Sequence, residues 1–297
     1  KTIDPKIPPQ QSQPQVDAEV NIHLGIDCVR GTPAFWNPHT QTPRKLTNQH
    51  LLVVGKSGSG KSETTKALIW ELDRIGTPSI ILDYQGEYAS GEFADAVQPR
   101  VINVMAGLPI NPFELPLDPL SGKKRPPIEM VFRMADTLNT VFSGSGDIQL
   151  GILREAIEQS YRQSGFDFHD ASTWDNEAPT LDVLEAVLDH MADDRGVQVR
   201  NLQVRLQPLF KSGIFRTEGV SFAFDDLFVQ TSVILMTSGI RDLMLAASRF
   251  ILEKIYSAML MKGVAKHLRL MVVIDEAHKL CGDETIISLV KEARKYG

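Results

Sequence analysis

Cysteine is almost missing from this sequence: Cys28 and Cys281 are the only two in 297 residues. Neither has the spacing of a metal-ligand set or of a disulfide framework, which excludes a stapled or zinc-built fold and fits a reducing cytosol. Long apolar runs are missing too. No stretch approaches the ~20 residues needed to span a bilayer, and the first residues lack the apolar segment of a signal peptide. The expectation is a cytoplasmic chain without a membrane contact. An excess of positive charge is also absent, because 31 Lys and Arg stand against 37 Asp and Glu, a net charge of −6. No global basic field can draw the chain to nucleic acid, so any DNA contact needs a local patch or the assembly of several copies. What remains is an ordinary globular composition, 42% hydrophobic and 23% charged, able to bury a large core.

Against this plain background, residues 51–62 read LLVVGKSGSGKS. The pattern G-x-x-x-x-G-K-[ST] places glycines where the backbone must curl with its N–H groups turned inward around an anion. Residues 51–54 have the length and composition of a buried strand, and residues 63–74 continue as a helix whose N-terminal dipole faces the same anion. Strand, loop and helix follow in the order of a nucleotide phosphate site. Gly55, Lys56, Ser57, Gly58, Ser59, Gly60, Lys61, Ser62 and Glu63 are the candidate nucleotide-binding residues. Lys61 would reach the β- and γ-phosphates of ATP, and the Ser62 hydroxyl would coordinate Mg²⁺. The bland alternative is a Gly/Ser surface turn, which does not account for the flanking strand and helix patterns.

A second stretch, MVVIDEAHKL at 271–280, is an apolar strand ending in two adjacent carboxylates. Asp275 is the candidate metal residue beside Ser62, and Glu276 stands where its carboxylate could polarise a water in line with the γ-phosphate. That arrangement predicts hydrolysis rather than binding alone. The competing explanation for such a pair is the acidic start of a helix, and His278 reads as an ordinary first-turn helix residue.

Residues 1–19 are rich in Pro and Gln and read as an extended linker, a sign that the chain is a fragment of a larger protein. Residues 20–297 then read as one ATPase domain of alternating α/β type. Two short strands surround a Gly turn near 20–38, and further strands are expected at 79–83, 101–104, 231–237 and 271–275, with a helix over 240–261. A helical insertion covers about 118–220, where Val131, Ala135, Leu138 and Phe142 share one face and Leu150, Leu153, Ile157 and Tyr161 another. SGSG at 143–146 separates these helices, and Thr180 is the expected N-cap of the next one.

The order GKSGSGKS, LDYQGEY, INPFEL, a helical insert, VILMTSG, VVIDEAH and KEARKYG resembles the HerA/FtsK superfamily of P-loop motor ATPases. The D-x-x-G-E-Y turn, the Asn-Pro dipeptide and the R-K-Y-G ending resemble its HerA-like branch. The resemblance implies a RecA-like core, ATP with Mg²⁺ as cofactors, a homo-oligomer of hexameric type and movement along double-stranded DNA. It implies a helicase or translocase of a bacterial DNA-processing or antiviral defence system, with a nuclease or other defence protein as partner. It carries a catalytic assignment to Asp83, the acid ending the second strand, which competes with a turn-capping role, and to Arg294 as a contact to the γ-phosphate or a neighbouring subunit. A trans-acting arginine is sought at Arg216 or Arg241. Family members continue beyond the KEARKYG helix into a strand with a polar sensor residue, so a sensor strand missing after Gly297 is expected. Lys123, Lys124, Arg125, Arg200 and Arg205 are the basic candidates for a DNA channel. The alternative within the same lineage is a conjugation or type IV secretion ATPase that energises protein or pilus assembly. The letters DEAH also suggest a superfamily-2 helicase, but they lie far from the phosphate loop and no S-A-T motif follows.

Overall fold

The computed structural model describes residues 20–38, 49–142, 146–215, 222–280 and 284–297. The linker segment 1–19, most of the SGSG separator, Arg216 and Cys281 lie outside the described residues.

The chain enters through an antiparallel hairpin, β1 (Ile22–Ile26) and β2 (Pro33–Trp36). Val20, Ile22 and Trp36 are buried against Leu68 and Leu72 of helix α1 (Lys61–Arg74), which fastens the hairpin to the back of the phosphate-loop helix. Strand β3 (Ser79–Asp83) follows, then the short helix α2 (Gly91–Val97) and strand β4 (Arg100–Asn103). Helices α3 (Pro127–Val141), α4 (Asp147–Gln163), α5 (Leu181–Arg195) and α6 (Val197–Ser212) come next. Thr180 is the N-cap residue of α5, although its side chain makes no capping bond. Strand β5 (Ser232–Leu235), the long helix α7 (Arg241–Lys262), strand β6 (Met271–Ile274) and helix α8 (Glu284–Glu292) complete the order.

The four later strands form one parallel sheet in the order β4-β5-β3-β6. Strand β3 is buried at every position, as an interior parallel strand covered on both faces must be. Its alternation sorts the two cores. Ile80 and Leu82 face the large core with α3 to α7, while Ile81 faces a smaller one with Ile69 of α1 and Tyr88, Phe93 and Val97. Val131, Ala135, Leu138, Phe142, Leu153, Ile157 and Tyr161 of the insertion are all buried in the large core. The Asn111-Pro112 turn is held to the insertion from two sides. The Asn111 amide donates to the Pro179 carbonyl at 3.0 Å, and the Tyr161 hydroxyl donates to the Phe113 carbonyl.

One expectation fails. Residues 51–54 join no strand of the sheet, and Leu52 and Val54 are 83% and 77% exposed. Apolar composition marked the segment for burial, but a strand needs a neighbour to take its N–H and C=O groups. Among the described strands none pairs with it: β6 ends the sheet order and is bonded on one side only, to β3. No helix among the described residues is long and apolar enough to cross a membrane.

Candidate nucleotide site

The loop leading into α1 is built on glycine. Gly58 and Gly60 have φ of 74° and 87°, in the left-handed region that a side chain disfavours. Gly60 is the N-cap residue of α1 and no side chain caps the helix, so the first-turn N–H groups are left for an anion. At Gly55 the reason is space. A Cβ there would lie 2.3 Å from Ser59 Oγ, so any other residue would force the Ser59 side chain to turn away or the loop to open. Ser59 N–H donates to the Lys56 carbonyl at 3.2 Å, and the Lys61 ammonium reaches the same carbonyl at 3.0 Å. Residues 55–60 are all exposed. The cradle therefore opens to solvent with its lysine folded across it. Glu63, in the first helical turn, is paired with Lys66 at 2.8 Å.

The acidic half of the site comes from the carboxyl ends of β3 and β6, where ligands of open α/β sheets bind. The register pairs Leu82 with Ile274, which sets Asp83 and Asp275 beside each other. Their environments differ. Asp83 is fully buried and accepts four backbone N–H bonds, from Gln85, Gly86 and Glu87 on Oδ1 and from Tyr88 on Oδ2. It is the organiser of the turn that follows β3, the turn-capping role that competed with a catalytic one. Asp275 keeps a buried Oδ2 with no hydrogen-bond partner. Burial, and then the charges of Asp83, Glu276 and Glu87, push its carboxyl above the usual carboxylate range.

Tyr88 links the two halves. It is buried beside Asp275, its hydroxyl engages Thr65 on α1, and Lys66 lies 5.9 Å from its ring centre. Burial and the nearby carboxylates push its hydroxyl well up, so it stays a neutral donor. Tyr84 locks the other side of the turn through Ser248 of α7 at 2.5 Å, with the Lys279 ammonium 4.4 Å from its ring centre.

Glu276 stands next to this pair with a backbone φ of 55°. Its Oε1 accepts from the Gln85 side-chain amide, and its Oε2 lies 3.0 Å from His278 Nδ1. Arg294 is partly buried in the 3-10 turn (Ala293–Lys295) after α8, and Arg241 is exposed at the first residue of α7. Gln85, Tyr88 and His278 were not among the expected site residues. The D-x-x-G-E-Y turn contains the first two but marks neither as a site residue.

These residues fit a magnesium ion carried in with a nucleotide. Ser62 and the orphaned Asp275 oxygen are hard oxygen donors, and the crowded carboxylates supply negative charge that a divalent ion would offset. Among the described residues no group of three or more His, Cys, Asp and Glu side chains forms a metal site. The protein's share of the ligands is small, as suits an ion held largely by phosphate and water.

The basic candidates are mostly engaged within the chain. Lys124 pairs with Asp175 at 3.6 Å, Arg125 lies between Asp118 and Glu129, and Arg205 donates to Gln149 at 2.8 Å.

Several solved structures share this fold, among them a VirB4 and a bacterial conjugative coupling protein. The VirB4 of Thermoanaerobacter pseudethanolicus is similar at a TM-score of 0.65 and 17% identity, over 94% of this chain and 83% of that one. A bacterial conjugative coupling protein, TrwB lacking its first 70 residues, is similar at a TM-score of 0.52 and 18% identity, over 93% of this chain and 64% of that one. No curated protein sequence is significantly similar. The likenesses establish an α/β RecA-like P-loop core with helical insertion. Residues 42–237 match the family described as the central domain of helicase HerA, and the chain thus belongs to that family of P-loop ATPases in the HerA/FtsK superfamily.

Proposed function

We propose that this chain is the motor domain of a ring-forming ATPase of the conjugation or type IV secretion kind, hydrolysing ATP with Mg²⁺ between neighbouring copies, as a hexamer, on the cytoplasmic side. The observation that carries hydrolysis is the contrast at the ends of β3 and β6. Asp83 spends its charge on the turn, whereas Asp275 presents a buried oxygen without a partner next to Glu276.

The chemistry follows from that division. The 55–62 backbone and the first turn of α1 bind the phosphates, and Lys61 exchanges the Lys56 carbonyl for β- and γ-phosphate oxygens. Ser62 and Asp275 would hold the ion, which would supply positive charge against that developing on the phosphoryl oxygens. Glu276 orients a water and shares its proton as the water attacks in line. Arg294, or Arg241 from a neighbouring copy, faces the γ-phosphate across the ring interface.

The secretion reading is supported by the similar structures, one of them a conjugative coupling protein. It is also supported by the ion pairs of Lys124 with Asp175 and of Arg125 with Asp118 and Glu129, which reduce the charge those two offer to phosphate. The second reading, a motor on double-stranded DNA with a nuclease or defence partner, is favoured by the family's own description as a helicase domain. Steady-state ATPase with and without duplex DNA over a salt series separates the two. Turnover indifferent to DNA at low salt supports the secretion motor; turnover that rises with duplex and falls steeply with salt supports the DNA motor.

A further inference from the structure

We propose that Gln85 is a positioning residue for the hydrolytic step: its side-chain amide, with His278 as second support, holds the Glu276 carboxylate where it meets the attacking water. This rests on Glu276 being the hydrolytic base.

Glu276 is one of two non-glycine residues with positive φ among those described, the other being Gln98 at the end of α2. A backbone in that region needs surrounding contacts to keep it there. The Asp275 carboxylate accepts the Glu276 N–H, and Lys279 N–H donates to the Glu276 carbonyl at 2.9 Å. The side chain is held as firmly. Gln85 Nε2 donates to Oε1, and His278 Nδ1 lies 3.0 Å from Oε2. A carboxylate has about four acceptor positions, so two contacts fix its plane and leave others for water.

Gln85 is itself rigidly placed. Its N–H donates to the buried Asp83 carboxylate at 3.1 Å, together with the next three N–H groups of the turn. The two residues are 191 positions apart and meet because β3 and β6 are neighbours. The chemistry of an amide suits the place. Asp275 stands among the negative charges of Asp83, Glu276 and Glu87, so the group that holds Glu276 here lies at the edge of an acidic cluster. A lysine or arginine would hold it but would also cancel the negative charge that the cation requires. A glutamine supplies the N–H donor and no charge.

The test uses this chain with Gln85→Met, Gln85→Ala, Glu276→Gln, Glu276→Ala and the double variants. Gln85→Met keeps the side chain's length but removes its donors, so a collapsed turn in Gln85→Ala does not blur the result. We expect both Gln85 variants to lower kcat roughly tenfold while KM and the affinity for a fluorescent ATP analogue stay within about twofold. Adding Gln85→Met to Glu276→Gln should lower turnover no further. Without nucleotide, Gln85→Met should lower Tm in the wild-type background but not in Glu276→Ala. Unchanged or raised kcat in Gln85→Met, or an equal loss of Tm in both backgrounds, overturns the proposal. If Glu276→Gln keeps full turnover, the assignment of the base falls and this positioning role with it. If Glu276→Gln stops turnover and Gln85→Met does not slow it, only the positioning role falls.

Discussion

Asp83 and Asp275 end neighbouring parallel strands, and their carboxylates are satisfied in opposite ways: one accepts four backbone N–H bonds, the other keeps a buried oxygen with no partner. The first organises the turn after its strand, and the second is the oxygen that the proposed function gives to the ion.

Replacing Asp83 should therefore act on stability before chemistry. Asp83→Ala leaves the N–H groups of residues 85–88 without their acceptor, a loss of roughly 3 kcal/mol or more for charge-assisted bonds in a buried turn. Urea unfolding monitored by circular dichroism should show a clearly lower midpoint with an unchanged slope. A midpoint equal to that of the wild type would mean that the turn is held by other contacts.

Asp275 should behave in the opposite sense. Its carboxyl is raised in the folded state, so between the unfolded and folded values the native protein binds more protons than the unfolded chain, and stability falls as pH rises through that window. Above the folded value the ionised group is a standing cost. Asp275→Asn should accordingly raise Tm at pH 7 without nucleotide, with the gain fading as pH falls below the window, while losing Mg²⁺-dependent nucleotide binding. A lower Tm at neutral pH would contradict the electrostatic account.

The phosphate loop depends on a missing Cβ. Gly55→Ala sets a methyl group 2.3 Å from Ser59 Oγ, so the loop must open or Ser59 must turn away. ATP-analogue affinity should fall at least tenfold with little change in Tm, because the loop is exposed and contributes little to the core. Calorimetric titration beside a thermal melt checks both parts.

How far the sequence reached is clearest at three places. The loop at 55–62 and the carboxylates at 275–276 stood out because each is one contiguous pattern of residue types, a glycine-rich run opening α1 and an apolar strand ending in two acids. Residues 51–54 were misread as a buried strand because four apolar residues state a preference for burial and cannot state which strand pairs with them. Gln85 and Tyr88 were invisible as site residues for a related reason. Their partners, Glu276, Asp275 and Thr65, come from other elements and are set by strand order, which no local window contains. Asp83 stood between two readings because a carboxylate after a strand looks the same in sequence whether it faces a ligand or its own turn.

The central claim, a hydrolytic ATP site assembled from the loop at Lys61 and the carboxylates at Asp275 and Glu276, is tested most directly by titrating a fluorescent ATP analogue into wild type, Lys61→Ala and Glu276→Gln and measuring phosphate release from the same samples. The account predicts that Lys61→Ala loses binding, since it removes the ammonium that spans the loop, whereas Glu276→Gln binds as wild type and releases no phosphate. Wild-type affinity in Lys61→Ala, or undiminished phosphate release from Glu276→Gln, would contradict it.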